Sequence, residues 1–443
     1  MKKSTFCKEI IINAKSISML SVDNDLKSLI DNVKDKKIVL LGSAGHGTKE
    51  FYEWRSAISK ELILHHGFNF ISIEGDWSAC QKVNQYIQNK VENNMVVSAR
   101  EILSVFDRWP TWMWANDEFA ELVSWLKLNN INKKKLTGLH GLDVYSLYDS
   151  IDEVINLLKT IDFEFSNKIK SYYSCFDLFR KNEKAYARSL FKKPLGCKKE
   201  VQQALDEVLR YGIEKKYNGI EVFFDVILNA RIVCASERYY RSMMLGTEDS
   251  WNVRDNHMME TIKLLLNKYG EGSKGIVWAH NNHVGDYRAT DMLKNKQVSL
   301  GGLARQYLGK ENVALIGFST NTGTITASSS WGGPIQVLTV PKAIDRSIEA
   351  EFHNAIPRIG SSDFYVLLND IPESSSLDEI LGHRSIGVVY QPLNEHRDNY
   401  PPTVLQKCYD AFFYLDKTQA LNPQKIKVDI EKIPETYPHG THV

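Results

Sequence analysis

Short apolar runs alternate with amphipathic helical stretches through the first third of this chain, and that rhythm restricts the fold more than any other feature. Lys37–Leu41 and Phe70–Glu74 read as buried strands, with Leu136–Asp143 as a weaker third. Helical patterns fall between them near 49–66, 77–89 and 118–129, the first closed by Gly67 as a C-terminal cap. Parallel strands need a crossover, usually a helix, so the alternation predicts an α/β protein with a parallel or mixed sheet flanked by helices.

The rhythm breaks at about residue 147. Up to 268 the chain carries long charged helical runs, such as Ile151–Leu158, Val201–Tyr211 and Glu221–Met244, and few strand signals. It resumes at Gly275–His280 and Val313–Phe318, assigned to the same sheet. A Gly/Ser/Thr-rich segment, Thr320–Pro334, then suggests a hairpin around Thr324–Ala327, and further strands are expected at Phe364–Leu368, Ile386–Tyr390 and Phe412–Asp416. The expected organisation is an α/β core in two parts, 1–146 and 269–320, a large helical domain at 147–268, and a smaller α+β C-terminal portion at 321–443.

Composition narrows the class of partner. With 55 basic and 54 acidic residues the net charge is +1, so no global field draws the chain to nucleic acid or anionic membrane. The expected partner is a small molecule held by a local site. No window approaches the roughly 18 apolar residues of a membrane span, and Ile10–Ile12 is too short for a secretory core. Cys7, Cys80, Cys175, Cys197, Cys234 and Cys408 include no C-x-x-C pair and read as reduced thiols of a cytoplasmic protein.

The strands lead into polar or ionisable residues: the first into His46, the second into Glu74, the third into Asp143 and a later one into His280. In parallel sheets the C-terminal strand ends form the ligand crevice, so these residues can converge there. His46 stands between Gly45 and Gly47, and its imidazole can take a proton from water near neutral pH. Arg55 falls within the apolar stripe Phe51, Trp54, Ile58 and Leu62, where a charge needs a partner; Glu74 or Asp76 is the expected one. His280 and His283 read either as metal ligands together with His46 and Glu74, or as neutral donors to a transition-state oxygen. Trp112 and Trp114, in a run with three tryptophans, either line a hydrophobic pocket or cement two domains, and Arg254 is placed towards the cleft.

At these residues the chain resembles the erythromycin esterase family, which includes proteins labelled as succinoglycan biosynthesis proteins. The matching pieces are G-x-x-x-H-G-T-x-E-F-Y-x-W-R at Gly42–Arg55, E-G-D-W at Glu74–Trp77, P-T-W-M-W at Pro110–Trp114, G-L-D-V-Y-S-L at Gly141–Leu147, S-W-N-x-R-D-x-H-M at Ser250–Met258, W-A-H-N-x-H-V-G-D at Trp278–Asp286 and W-G-G-P at Trp331–Pro334. The resemblance implies an α/β core with a helical domain walling a deep cleft, and His46 as the base that activates water against an ester or lactone carbonyl. By the same resemblance Arg55, Glu74, His280 and His283 match active-site positions, Arg254 is a further match, and no cofactor is needed. The family pattern usually opens Gly-Glu, where this chain has Gly42-Ser43, and serine cannot raise the imidazole's basicity as a carboxylate would.

Three functional readings follow. The first is a hydrolase of a carboxylic ester or macrolactone, with His46, Glu74, Arg55, His280 and His283 catalytic and Arg254, Trp112, Trp114 and Asp143 contacting substrate. The second is a divalent-metal hydrolase using His46, Glu74, His280 and His283 as ligands. The third, prompted by Ser43, is a weakly active binding or exopolysaccharide-biosynthesis-associated protein. The sequence carries no signal for oligomeric state.

Overall fold

The computed structural model describes residues 5–18, 22–90, 98–179, 181–217, 221–246, 249–372 and 376–434. Its strands are β1 (Ala14–Ser16), β2 (Ile38–Leu41), β3 (Phe70–Asp76), β4 (Gly138–Asp143), β5 (Gly275–Trp278), β6 (Val313–Ala327), β7 (Gln336–Val340), β8 (Asp363–Leu367), β9 (Ile380–Gly382), β10 (Pro402–Val404) and β11 (Ala411–Thr418). Nine of them form one mixed sheet in the order β1-β8-β11-β6-β2-β5-β3-β4, with β7 paired to β6; β9 and β10 form a separate ribbon. The run from β11 to β4 is parallel, and β1, β7 and β8 pair antiparallel.

Residues along the parallel strands alternate between two cores. Val39 and Leu41 of β2 face one cluster with Ile71, Ile73, Ile276 and Trp278, while Ile38 and Leu40 face the other with Phe70 and Val277. Burial on both faces explains the near-continuous apolar runs that made these strands readable in sequence. A third cluster belongs to the helices Leu147–Ile161, Phe163–Tyr173, Glu183–Ser189, Lys198–Glu214 and Glu221–Leu245, in the helical segment expected from the charged runs.

Three expectations are corrected and one is met. The strands near 364–368 and 412–416 do not form a separate portion: β8 and β11 extend the main sheet, β11 lying parallel to β6. Adding there buries Phe412, Phe413 and Tyr414 completely, which a small detached sheet would not achieve. The hairpin expected around Thr324–Ala327 is present: these residues end the long strand β6 and pair antiparallel with β7. Ile386–Tyr390 is not a ladder strand; it makes isolated bridges, Ile386 to Gly45 and Val389 to Ser328. Finally, Cys175 and Cys197 are not free thiols. They form a disulfide in the helical segment, their Cα atoms 6.0 Å apart, with Cys197 standing just before the Lys198–Glu214 helix. Among the described residues no helix is long and apolar enough to cross a membrane.

Candidate active site

Three adjacent parallel strands, β2, β5 and β3, bring the sequence-predicted residues to one edge of the sheet. After β2 the chain turns through Ser43–Gly47 before the Lys49–His65 helix. The loop is pinned from outside, because the Gly47 carbonyl accepts from Thr326 N and Leu421 N, both at 3.0 Å. A Cβ on Gly47 would stand 1.8 Å from the Thr326 carbonyl oxygen, so only glycine allows β6 this close. Glu74 sits where the β3–β4 register shifts, between Ile73 and Asp76. Such an irregularity re-aims a side chain and frees its backbone; the freed Glu74 carbonyl accepts from Trp114 Nε1 at 2.8 Å.

Glu74 is the centre of a buried polar cluster. Its Oε1 accepts from Arg254 Nη2 at 3.1 Å and lies 3.1 Å from His283 Nε2, while Oε2 accepts from the His280 backbone N–H at 2.8 Å. Arg254 also grips Asp143 through Nε at 2.9 Å and Nη2 at 2.5 Å. His283 Nδ1 lies 2.9 Å from both oxygens of Asp255, and its ring stacks on Trp251 with centroids 4.2 Å apart. Burial opposes a charge on His283, yet Asp255 and Glu74 carry its pKa up to about 9. The ring is therefore an imidazolium at neutral pH, donating from both nitrogens. Burial likewise works against the Glu74 carboxylate, but His283, His46 and Arg254 outweigh it and hold the carboxyl well below its ordinary range.

His46 is different. Its Nε2 lies 3.9 Å from Glu74 Oε1, beyond hydrogen-bond reach, and among the described residues its ring makes no hydrogen bond. Burial, with smaller contributions from Arg55 and His283 and against the pull of Glu74, pushes its pKa down to about 4. It is a neutral imidazole with a lone pair to spare. His280 packs beside it with ring centroids 5.0 Å apart. The His280 ring is already occupied: Nδ1 accepts from Asn282 N at 3.2 Å and Nε2 lies 3.2 Å from the Ile386 carbonyl. Burial, reinforced by His46, lowers its pKa to about 3.

Arg55 is fully buried, as its place in the apolar stripe implied, but its expected partners are wrong. Among the described residues no carboxylate forms an ion pair with it. Its guanidinium lies 4.5 Å from the Tyr52 ring centroid and 4.7 Å from that of Trp278, and its Nε donates to the Phe51 carbonyl at 3.2 Å. Burial lowers its pKa to about 10, so it stays charged at neutral pH. Asp76 instead faces Arg108, Oδ2 to Nε at 3.6 Å, and makes no cap bond to the helix it precedes.

The structure thus gathers His46, Glu74, His283, Arg254 and Asp143, with His280 and Arg55 flanking them. It does not place Trp112 and Trp114 on a pocket: both are buried in the core beneath β3. The four expected metal ligands lie together around Glu74, but they are not arranged as an ion's ligand set. The His280 ring nitrogens are taken by Asn282 N and the Ile386 carbonyl and those of His283 by Asp255 and Glu74, and among the described residues no group of three or more His, Cys, Asp or Glu side chains is arranged to hold an ion. Sequence reasoning missed Asp255 and Trp251, the two groups that fix His283, although both lie in the S-W-N-x-R-D stretch beside Arg254.

A family model described as erythromycin esterase matches residues 63–418. The chain belongs to the erythromycin esterase family. An erythromycin esterase type II of Escherichia coli is 21% identical over 427 residues, covering 89% of this chain and 93% of the relative. Among solved structures, a protein from Bacillus cereus superposes with a TM-score of 0.80 at 19% identity, covering 96% of this chain and 100% of the other. A succinoglycan biosynthesis protein gives 0.76 at 20% identity, covering 96% and 99%. A histidine-to-asparagine mutant of the erythromycin esterase EreC in its open conformation gives 0.65 at 17% identity, covering 95% and 99%. At these identities the structural likeness establishes the mixed α/β fold with its flanking helices, and the family match supports an esterase-like hydrolase.

Proposed function

We propose that this protein hydrolyses a carboxylic ester or lactone by direct attack of water, with His46 as general base. One observation carries the reading: in a cluster where every other ionisable ring is clamped, the buried His46 imidazole is neutral and unbonded, 3.9 Å from the Glu74 carboxylate. As water attacks the carbonyl, His46 takes its proton, and Glu74 stabilises the imidazolium that forms. The tetrahedral oxyanion is assigned to Arg55, a buried guanidinium with no carboxylate of its own. His280 and His283 are less suited to that role than the sequence suggested, since their N–H groups are committed. When the intermediate collapses, the acyl–oxygen bond breaks and the alkoxide recovers the proton from His46, leaving a carboxylic acid and an alcohol.

Asp143, Arg254, Asp255 and His283 are positioning residues on this account, holding Glu74 as an ionised acceptor. Ser43 occupies the loop three residues before His46, and its buried Oγ has no hydrogen-bond partner among the described residues. It contributes no charge to the base. A screen of p-nitrophenyl and lactone esters against the parent protein and His46→Ala tests the proposal. Hydrolysis by the parent that collapses in the variant supports it; equal turnover by both removes His46 as the base. Elemental analysis and chelator treatment of the active protein test the metal reading separately.

A further inference from the structure

The near-neutral charge of the whole chain conceals a local imbalance in the helical segment. Residues 178–199 include eight basic residues against one acidic residue, Glu183, in a protein whose net charge is only +1. Glu183 does not offset them at the surface, because it is buried and held by Arg108. Lys181 pairs with Asp152, and Lys184 donates to the Ile430 carbonyl. Arg188, Lys192, Lys193, Lys198 and Lys199 are exposed and form no ion pair among the described residues. Two carboxylates, Asp177 and Glu200, border the stretch.

The same surface holds large apolar side chains in the open. Leu178 is 80% exposed, Phe191 64% and Leu195 77%. Their segments are tied together, since Leu178 follows Cys175 by three residues, Leu195 precedes Cys197 by two, and these cysteines form the disulfide. The 191–197 loop is fixed by its own backbone. Lys192 N and Lys193 N donate to the Ser189 carbonyl at 2.9 and 3.0 Å, Gly196 N to the Lys193 carbonyl at 2.9 Å, and Cys197 N to the Tyr186 hydroxyl at 3.1 Å. Leu190 and Cys197 pack into the helical core at either end, and the loop between them leaves Phe191 and Leu195 facing solvent.

An exposed leucine alone is ordinary, but apolar side chains grouped and ringed by cations mark an interaction surface. A nucleic-acid backbone would engage the lysines and leave Leu178 and Leu195 in water. A lipid surface with anionic headgroups takes both kinds of group, the cations against the phosphates and the apolar side chains in the acyl boundary. We infer that this face, made by the Ser174–Phe179 turn, the 191–197 loop and the start of the Lys198–Glu214 helix, docks the protein reversibly on an anionic membrane surface. Phe191, Leu195 and Leu178 enter the interface, and the five unpaired cations meet the headgroups. None of these residues belongs to the catalytic cluster, so the assignment stands apart from the hydrolase reading.

Co-sedimentation of the full-length protein with vesicles tests it, using phosphatidylcholine alone and phosphatidylcholine mixed with phosphatidylglycerol. Binding to the mixed vesicles and not to the neutral ones is expected, and it should weaken as added salt screens the headgroups. Lys192→Gln combined with Lys193→Gln should weaken binding roughly 25-fold, at about fivefold for each basic residue near an anionic surface. Phe191→Ser combined with Leu195→Ser should weaken it by about tenfold or more, through lost insertion. Equal binding to both vesicle types, or binding to neither, overturns the assignment on the parent protein alone, whatever the variants do. Thermal unfolding of both variants beside the parent separates lost docking from lost fold. A folded Phe191/Leu195 variant that binds like the parent reduces the surface to a general polycation and also overturns the assignment. Tighter binding of a duplex oligonucleotide or of polyglutamate than of the mixed vesicles would do so too, by making the partner a nucleic acid or an acidic protein.

Discussion

On the β3 side of the crevice the charges close on one another: Glu74 meets Arg254 and His283, Arg254 meets Asp143, and His283 meets Asp255. On the β2 side His46 and Arg55 are just as deeply buried, yet neither has a carboxylate within hydrogen-bond reach among the described residues. Both regions incur the desolvation of buried polar groups. Only the first recovers it through ion pairs; Arg55 has ring faces and a backbone carbonyl instead. A closed network holds geometry, whereas on the proposed mechanism the unbonded His46 ring and the Arg55 cation, free of any carboxylate, meet water and substrate. That contrast separates scaffold from machinery in a site where residue types alone look alike.

The contrast can be broken most decisively at His46. His46→Ala should reduce kcat by about 10² to 10⁴ while leaving the melting temperature nearly unchanged, because the ring anchors nothing. Thermal unfolding run beside ester hydrolysis checks both halves. Glu74→Ala should behave in the opposite manner, stranding Arg254 and His283 and destabilising the fold by about 3–5 kcal/mol in urea unfolding. Should Glu74→Ala leave stability untouched, the closed network is not a scaffold.

Titration sharpens the same division. His283 rises from 6.5 to about 9 on folding, so its stabilising contribution is complete below about 6.5 and is lost as pH rises through about 9. Stability measured across that window should fall towards alkaline pH, and His283→Gln should flatten the dependence. His46 moves the other way, to about 4, so the rate should fall only on the acid side as pH drops through about 4. The smallest expected change is at Ser43. Ser43→Glu should raise the acid limb of the kcat/KM profile by about one pH unit, since a nearby carboxylate favours the imidazolium. A limb that stays in place would show that Ser43 does not face the base.

Much of this site was legible because a parallel sheet turns strand ends into a shared crevice, so His46, Glu74, Asp143 and His280 could be grouped without knowing strand order. Burial of Arg55 was legible from its place among Phe51, Trp54, Ile58 and Leu62. Its surroundings were not, because the Tyr52 and Trp278 rings replace an ion pair through contacts that no spacing encodes. The same limit applied to the sheet. Strands β8 and β11 carry ordinary strand patterns, but which edge they join depends on pairing with β6, about a hundred residues upstream of β11 by alignment of Ala411 with Ile316. The tryptophan run showed the ambiguity of aromatic clusters, with Trp114 bracing the Glu74 backbone from the core instead of lining a pocket.

Site-resolved NMR of ¹⁵N-labelled histidines, assigned with His46→Ala and His283→Gln, tests the division between the two regions most directly. At neutral pH the account predicts His283 protonated on both ring nitrogens, titrating near 9, and His46 neutral, titrating near 4. A neutral His283 beside a protonated His46 would contradict it.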